Sequence, residues 1–202
     1  MTMGKVLTLW NEEGINEKDA SVLRKISSEV PAPLDKESQA AIQILMDSFL
    51  SHDDALGLAA PQIGINNRII AFRIKGFGEK GKVKSDDFEI LVNPRITQTR
   101  GEKVIMAEGC LSCPEIQVEV CRFPEIKVCA LNAQGEKISK RYIDYAARII
   151  QHEIDHLEGK LIVDYEGCFY FPKDKKSFFE KLFKGSHDES IVKIKRGGGN
   201  PW

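Results

Sequence analysis

The sequence has no long hydrophobic run, no excess of positive charge and no internal repeat. No stretch approaches the roughly 20 consecutive apolar residues of a transmembrane helix, so we expect no membrane span and no membrane partner. The formal net charge is −1, whereas a protein that binds nucleic acid with its whole surface is usually basic. No Ser/Pro-rich linker divides the 202 residues, a length typical of one domain.

Cysteine is scarce and odd in number. The chain has five cysteines, and a protein of this length buries enough apolar surface to fold without a disulfide framework. The first ten residues lack the apolar run and the small-residue cleavage site of a signal peptide. We therefore expect a reducing compartment, the cytoplasm, in which a thiolate stays available to bind a metal.

Charge is unevenly divided along the chain. Residues 173–202 hold eight basic and four acidic side chains, a net charge of +4, which leaves about −5 on residues 1–172. We interpret 1–172 as one folded unit and 173–202 as a basic C-terminal helix with a flexible tail. A basic segment on an acidic body suits docking on a polyanion, and it is equally typical of a solvated terminus.

Periodicity predicts two long helices and a series of strands. Asp35 is suited to cap a helix that runs to about His52. A second helix is expected over 144–158 with Gly159 after its C-terminus, and a short amphipathic helix over 177–184. Strands are predicted at 68–74, 89–92, 103–107, 117–121, 125–131 and 136–142. Strands in meander order around one central helix indicate an α+β fold.

The segment His152-Glu153-Ile154-Asp155-His156 has the pattern H-E-x-x-H. On an α-helix, residues i and i+4 lie on one face, so both imidazoles can reach one metal ion about 2 Å away. Glu153 then projects beside the open side of that ion, where a general base accepts a proton from water. The alternative is a pair of ordinary surface histidines in a chain that has four histidines.

The third metal ligand has several candidates. A longer pattern, H-E-x-x-H-x-x-G-x-x-H, would require a histidine at position 162, and that residue is isoleucine. Glu180 lies 24 residues beyond His156 on an expected helix and is one candidate. Cys110 and Cys113 are the other candidates, and a thiolate suits a borderline-soft metal.

Cys110 and Cys113 offer a choice between two kinds of site. If both bound together with the histidines, the site would be a closed Cys2His2 structural zinc site with no position for water. Gly109 precedes the pair and Pro114 follows it, so we interpret 108–115 as extended. Residues three apart in an extended chain point to opposite faces, so one cysteine is expected at the metal and the other in the core.

Three blocks of the sequence resemble the peptide deformylase family. They are A-L-G-L-A-A-P-Q at 55–62, E-G-C-L-S at 108–112 and Q-H-E-I-D-H-L at 151–157, in the order and spacing of that family. Weaker similarity extends over 21–164. The first block opens with Ala55 where the family usually has glycine. The resemblance implies an α+β fold with the H-E-x-x-H helix packed among antiparallel sheets. It also implies a metal-dependent hydrolase that removes the N-formyl group from the formyl-methionine of new polypeptides and releases formate.

The resemblance further implies a role for each site residue. The metal ligands are Cys110, His152 and His156. Glu153 is the catalytic acid/base, and the oxyanion is held by the side chain of Gln62 and the backbone N–H of Leu111. It implies one divalent metal ion, with Fe²⁺ as the working ion and Zn²⁺, Ni²⁺ or Co²⁺ able to occupy the site. The residues expected to contact the substrate are Leu56, Gly57, Met106, Tyr145 and Ile149.

Alternatives to this function remain at the level of sequence. One is a peptidase or small amidase that cleaves another acyl group. Two are non-catalytic proteins. One is an interaction module held together by a Cys2His2 metal site. The other is a degenerate paralogue that binds formyl-methionine without turnover, and Ala55 is the only residue that favours it. Glu108 and Asp155 are interpreted either as groups that orient the metal ligands or as ordinary ion-pair partners. The expected partners are formyl-methionyl nascent peptides and, through the basic C-terminal segment, the ribosome.

Overall fold

A computed structural model of the chain describes residues 4–76 and 87–185, and within these residues it contains ten strands and four α-helices. The strands are β1 (Trp10–Asn11), β2 (Gly14–Ile15), β3 (Gly57–Ala59), β4 (Ile69–Arg73), β5 (Phe88–Arg100), β6 (Val104–Cys110), β7 (Cys113–Arg122), β8 (Glu125–Leu131), β9 (Lys137–Ile143) and β10 (Phe169–Tyr170). The helices are α1 (Glu17–Leu23), α2 (Lys36–Leu50), α3 (Asp144–Leu157) and α4 (Lys176–Gly185). The predicted α+β class is confirmed.

Helix α2 begins where the sequence predicts. The Asp35 side chain accepts hydrogen bonds from the backbone N–H of Ser38 at 2.8 Å and from the Ser38 hydroxyl at 2.6 Å, which satisfies helix donors that otherwise lack a partner. The apolar stripe of α2 buries Leu45 and Phe49 completely. The helix ends at Leu50, two residues before the predicted end.

The larger sheet is antiparallel and has the strand order β3-β4-β5-β8-β9. Strand β5 is longer than predicted, because the chain continues past Asn93 and Pro94, which usually end a strand. It does so through register shifts between Val92 and Arg95 and between Ile96 and Gln98. Such bulges bend a strand and increase its twist without ending it.

A three-stranded sheet, called the smaller sheet below, has the strand order β10-β7-β6, so β6 is an edge strand, while β1 and β2 pair separately as a two-stranded sheet. Strands β6 and β7 form a hairpin whose connection is only Leu111 and Ser112. Cys110 and Cys113 are therefore direct cross-strand partners. The prediction that residues 108–115 form one extended segment is wrong, because the chain reverses between the two cysteines.

Helix α3 lies against the larger sheet and carries the H-E-x-x-H pattern. Ala147, Ile150 and Leu157 of α3 are completely buried in a cluster that includes Phe72 and Ile126 of the sheet. As predicted, the chain leaves α3 through glycine at 159. Its φ of 68° is left-handed, and a Cβ there would collide with the Arg24 backbone.

The C-terminal helix packs on the smaller sheet. Phe179 is completely buried, and its ring meets the Trp10 ring edge to face at a centroid distance of 5.9 Å. The division into a catalytic body (1–172) and a basic C-terminal segment (173–202) stays a prediction, since 186–202 lies outside the described residues. No helix in the described part of the chain is long and apolar enough to cross a membrane.

Candidate active site

A cavity of about 1100 Å³ opens beside α3. Its walls come from α3, from the segment that leads into β3, from the β6–β7 hairpin and from the chain that follows β10. Nine of the residues expected at the site line it: Leu56, Gly57, Gln62, Cys110, Leu111, Tyr145, Ile149, His152 and Glu153. The structure thus brings together segments that are nearly 100 residues apart in sequence.

Cys110 and His152, which line this cavity, and the buried His156 behind them offer a ligand set for a metal ion. One ligand atom each from Cys110, His152 and His156 lies within 4.8 Å of the other two. Cys110 Sγ is 3.2 Å from His156 Nε2. In a tetrahedral site with bonds of about 2.0–2.3 Å, ligand atoms are about 3.5 Å apart, so this spacing fits one ion with a fourth position open. His156 is 1% exposed and its Nδ1 has no hydrogen-bond partner among the described residues.

The competing ligands lie elsewhere. Glu180 is an exposed residue of α4, and its carboxylate is 4.0 Å from the ammonium group of Lys176. Cys113 is completely buried and belongs to the core cluster under the smaller sheet, and it is not part of the three-atom ligand group. A hydrogen bond from the Cys113 thiol to Cys110 lowers the pKa of Cys110 well below its usual value. Cys113 is therefore a packed thiol beside the ligand group.

Glu108 fixes the orientation of the first histidine. Its carboxylate accepts from His152 Nδ1 at 3.0 Å, so the Nε2 atom of that ring is left for a metal. Arg122 donates to both Glu108 oxygens, at 2.7 and 2.8 Å, and Arg148 donates to one of them at 2.6 Å. Burial opposes ionisation, but hydrogen bonds from His152 and Arg122 lower the pKa of Glu108 to about 2. The carboxylate is thus held ionised beside the ligand.

Asp155 is connected to the same hydrogen-bond network through Arg122. Its carboxylate accepts from Arg122 Nη1 at 2.8 Å and from the Tyr165 hydroxyl at 2.6 Å. Arg122 therefore bridges Asp155 and Glu108. Glu108 contacts a histidine directly, which fits the interpretation that it orients a metal ligand. Asp155 contacts Arg122, so it is an ion-pair partner that acts on the histidine only through this arginine.

Glu153 faces the cavity from the buried side of α3. It is 3% exposed, and its Oε2 atom has no hydrogen-bond partner among the described residues. Burial raises the pKa of Glu153 to about 7. Gly57 of β3 lies opposite, and a Cβ at that position would collide with the Glu153 carboxylate. The absence of a side chain at Gly57 is therefore what makes room for this carboxyl group.

The side-chain amide of Gln62 has a fixed orientation. Its Oε1 accepts from the backbone N–H of Ala59 at 2.9 Å, and its Nε2 donates to the Ser112 hydroxyl at 3.1 Å. Nε2 is also 3.7 Å from Cys110 Sγ. The donor end of the amide thus points to the ligand group. Leu111, the other expected oxyanion donor, lies in the hairpin turn directly after Cys110.

The apolar part of the cavity differs in one residue from the prediction. Leu56, Tyr145 and Ile149 line it, but Met106 does not and is 37% exposed. Met106 leaves β6 on the same face as Glu108 but about 7 Å further from the hairpin, which takes it past the cavity.

Several cavity residues carry no signal that sequence reasoning detected. They are Arg148 and the segment Tyr170, Phe171, Pro172 and Lys173. Ala55 is 3% exposed and packs in the core cluster beneath α2, although it also borders the cavity. Its methyl group is therefore accommodated by the core.

A thiolate and two imidazoles on one side of a buried carboxyl group define a class, the metal-dependent hydrolases with an H-E-x-x-H helix. Comparisons with known proteins identify the family. The family model for polypeptide deformylase matches residues 13–173. The chain is 38% identical over 145 residues to the peptide deformylase of Pseudothermotoga lettingae, and the aligned region covers 71% of this chain and 76% of that protein. The chain therefore belongs to the polypeptide deformylase family.

Solved structures agree with this assignment. A peptide deformylase from Legionella pneumophila matches with a TM-score of 0.67 and 31% identity, over 91% of this chain and 95% of that one. A class I type b peptide deformylase from Acinetobacter baumannii with Met-Ala-Ser bound matches with a TM-score of 0.63 and 29% identity, over 79% and 98%. The predicted activity is confirmed: the protein is a metal-dependent hydrolase that removes the N-formyl group from nascent formyl-methionyl peptides.

Proposed function

We propose that Cys110, His152 and His156 hold one divalent metal ion and that Glu153 is the catalytic acid/base. The supporting observation is the grouping of three ligand atoms within 4.8 Å of one another beside a buried carboxylate oxygen without a partner. A closed site would need a fourth protein ligand. In this arrangement the fourth position stays available for the reaction.

The roles of the residues follow from their chemistry. A divalent ion at such a site supplies an acidified water, with a pKa of about 7, and polarises the formyl oxygen. Glu153 accepts a proton from the attacking water and later donates it to the leaving amine, a task suited to a carboxyl group whose pKa is about 7. Gln62 Nε2 and the Leu111 N–H donate to the developing oxyanion. The loss of one such donor typically costs about 10²- to 10³-fold in rate.

We assign the methionine side chain of the substrate to the apolar wall formed by Leu56, Tyr145 and Ile149. Ile149 lies one turn before Glu153 on α3 and is 6% exposed, so it is held firmly at the base of that wall. A thioether is flexible and apolar, and it packs well against aliphatic and aromatic groups. The Met-Ala-Ser peptide in the Acinetobacter baumannii structure supports a methionine at this position here.

Metal binding tests the ligand assignment separately from activity. We would purify the protein without oxygen, load it with Co²⁺ and record the bound metal and the thiolate-to-metal absorption band. Cys110→Ser and His156→Ala are expected to lose the band and most of the metal. Cys113→Ser and Glu180→Gln are the matched controls and are expected to keep both. Loss of metal in the Cys113 variant, with its fold intact, would contradict the open site.

We propose Fe²⁺ as the working ion, because a Cys-His-His set accepts borderline metals and family resemblance favours iron. Ferrous iron beside an oxidisable thiolate is sensitive to air. We expect an iron-loaded sample to lose activity on aeration while a nickel-loaded sample retains it. Equal survival of the two samples would argue against iron as the source of the sensitivity.

We also propose that the protein works in the cytoplasm and docks on the ribosome through its basic C-terminal segment. Among the described lysines there, Lys181 is exposed, while Lys175 is already paired with Glu115 at 2.6 Å. Because α4 buries Phe179 in the core, deleting the whole segment would disturb the fold. Replacing Lys176 and Lys181 with glutamine is the cleaner test. Ribosome co-sedimentation at low salt is expected to fall, and unchanged co-sedimentation would exclude a contribution from this pair.

A further inference from the structure

Cys113 stands apart from the other cysteines that the deformylation site does not use. All five cysteines lie in the described residues and none is in a disulfide. Cys129 hydrogen-bonds to the Ser139 hydroxyl at 3.5 Å, and Cys121 is exposed opposite Ile105. Cys113 alone among them is the cross-strand partner of the proposed metal ligand Cys110.

The hairpin gives the two cysteines the spacing of a disulfide. Directly opposed residues of an antiparallel pair have Cα atoms about 4.5–5.5 Å apart, and their side chains leave the sheet on the same face. Disulfides require Cα atoms about 4.4–6.8 Å apart. Both cysteines also border the same cavity. The hairpin therefore pairs the two cysteines at a spacing suited to a disulfide, directly after the register shift between Gly109 and Cys110.

The two thiols differ in their access to solvent. Cys110 is half-buried and lines the cavity, so a small oxidant that enters the cavity meets its sulfur. Cys113, the first residue of β7, also borders the cavity, but it is completely buried, so its sulfur is shielded from the oxidant. An external oxidant therefore reacts first with Cys110, and Cys113 has Cys110 as its reaction partner.

We propose that Cys113 is a resolving cysteine that protects the metal-ligating Cys110 from irreversible oxidation by a hydroperoxide. The Cys110 sulfur attacks the peroxide, the O–O bond breaks, hydroxide leaves and the sulfur, oxidised by two electrons, becomes a sulfenic acid. The Cys113 sulfur then attacks the Cys110 sulfur. The S–S bond forms, the S–O bond breaks, and the Cys113 proton leaves with the hydroxyl group as water. A dithiol reductant regenerates both thiols by exchange.

The consequence is a reversible loss of the metal site. A disulfide sulfur is no longer a thiolate ligand, so the metal is released when the bond forms. Without Cys113, the sulfenic acid persists and a second peroxide molecule converts it to a sulfinic acid, which dithiols do not reduce. Cys113 thus decides between a recoverable and an unrecoverable form of the same protein.

The experiment follows the oxidation state by mass and does not depend on activity. All variants carry Cys121→Ser, because Cys110, Cys113 and Cys121 share one tryptic peptide, residues 104–122. The metal-loaded protein is treated with hydrogen peroxide, alkylated and digested without reduction. The mass of this peptide and the bound metal are measured before and after dithiothreitol. Cys113→Val is the test variant, and Cys129→Val is the matched control that also removes one thiol.

The parent and the Cys129 control are expected to lose two hydrogens from this peptide, to release the metal, and to rebind it after dithiothreitol. The Cys113→Val protein is expected to gain two or three oxygens at Cys110 and to stay metal-free. The proposal is overturned if the parent accumulates two or three oxygens at Cys110 instead of the disulfide. It is also overturned if the parent's disulfide joins Cys113 to another cysteine. Because the parent is decisive by itself, a folding defect in the variant does not weaken the test.

Discussion

Replacing Gly57 with alanine places a methyl group against the Glu153 carboxyl group, the proposed acid/base. An added Cβ would lie 2.7 Å from Glu153 Cδ and 2.8 Å from Ile149 Cγ2, whereas ordinary contacts begin at 3.4 Å. Ile149 is held by core packing on α3, so Glu153 is the group that moves. The carboxyl carbon must shift by about 0.7 Å, the difference between the ordinary contact and the clash, and its oxygen by more.

A displacement of about 1 Å at a catalytic group costs about 10²-fold in rate. We therefore expect kcat for formate release by Gly57→Ala to fall about 10²-fold, which corresponds to about 2.7 kcal/mol in the barrier. None of the three atoms nearest to the added Cβ belongs to a proposed metal ligand, so the bound metal per chain is expected to stay the same. The assay is formate release from formyl-Met-Ala-Ser at saturating substrate, with metal content measured on the same samples.

Gly109→Ala is the matched control for this prediction. It adds the same methyl group on the opposite wall of the cavity, where the nearest atoms to a new Cβ are 3.9 Å away. We expect a small effect on kcat. If Gly57→Ala retains the parent's kcat with full metal occupancy, the position of the Glu153 carboxyl group does not limit the reaction. That result would contradict the expected loss of rate from displacing Glu153.

Three further predictions concern the support of the site and of the fold. Glu108→Gln removes a buried charge that orients His152. We expect metal affinity, measured by competition with a chelator, to fall about 10- to 100-fold, and the free energy of unfolding in urea to fall by about 3–5 kcal/mol. Full metal affinity in this variant would contradict the orienting role. Hydrogen bonds from Ser38 lower the pKa of Asp35 from its usual value of 3.8, so the Asp35 cap stabilises the fold above pH 3.8 and loses this effect as the pH falls below it. The difference in Tm between the parent and Asp35→Ala should therefore shrink in acid. A difference that stays constant with pH would refute the stabilising role of the ionised cap. Phe179→Ala is expected to cost about 3–5 kcal/mol in urea unfolding, and no cost would mean that α4 is separable from the body.

Local spacing explains why the centre of the site could be predicted. His152 and His156 are separated by one helical turn, and helix α3 has a strong amphipathic pattern, so this pair of candidate ligands followed from the sequence. The position of Gln62 beside Cys110 followed only from the family resemblance. No local pattern connects two residues that are 48 positions apart.

The hairpin between β6 and β7 had no such local signal. Two-residue turns are usually recognised by glycine or asparagine with positive φ. Here the turn consists of Leu111 and Ser112, and neither has a positive φ. The prediction that Cys113 lies in the core was therefore correct. Its reason was wrong, because the backbone between Cys110 and Cys113 turns back instead of staying extended.

The arginines around Glu108 were missed for a different reason. Arg122 lies 14 residues and Arg148 40 residues from it, and each is more than 90% buried. Arginine is mostly an exposed residue, so sequence reasoning assigns it to the surface by default. Only the tertiary structure reveals that these two charges converge on one carboxylate, which in turn accepts a hydrogen bond from His152, a proposed metal ligand.

The most direct test of the account is formate release from formyl-Met-Ala-Ser by metal-loaded protein, with the parent beside its Glu153→Gln form. We predict rapid release by the parent and near silence from the variant at equal metal content, because glutamine cannot carry the proton from water to the leaving amine. Release by the variant at the parent's rate, with the same metal bound, would contradict the assignment of Glu153 as the acid/base.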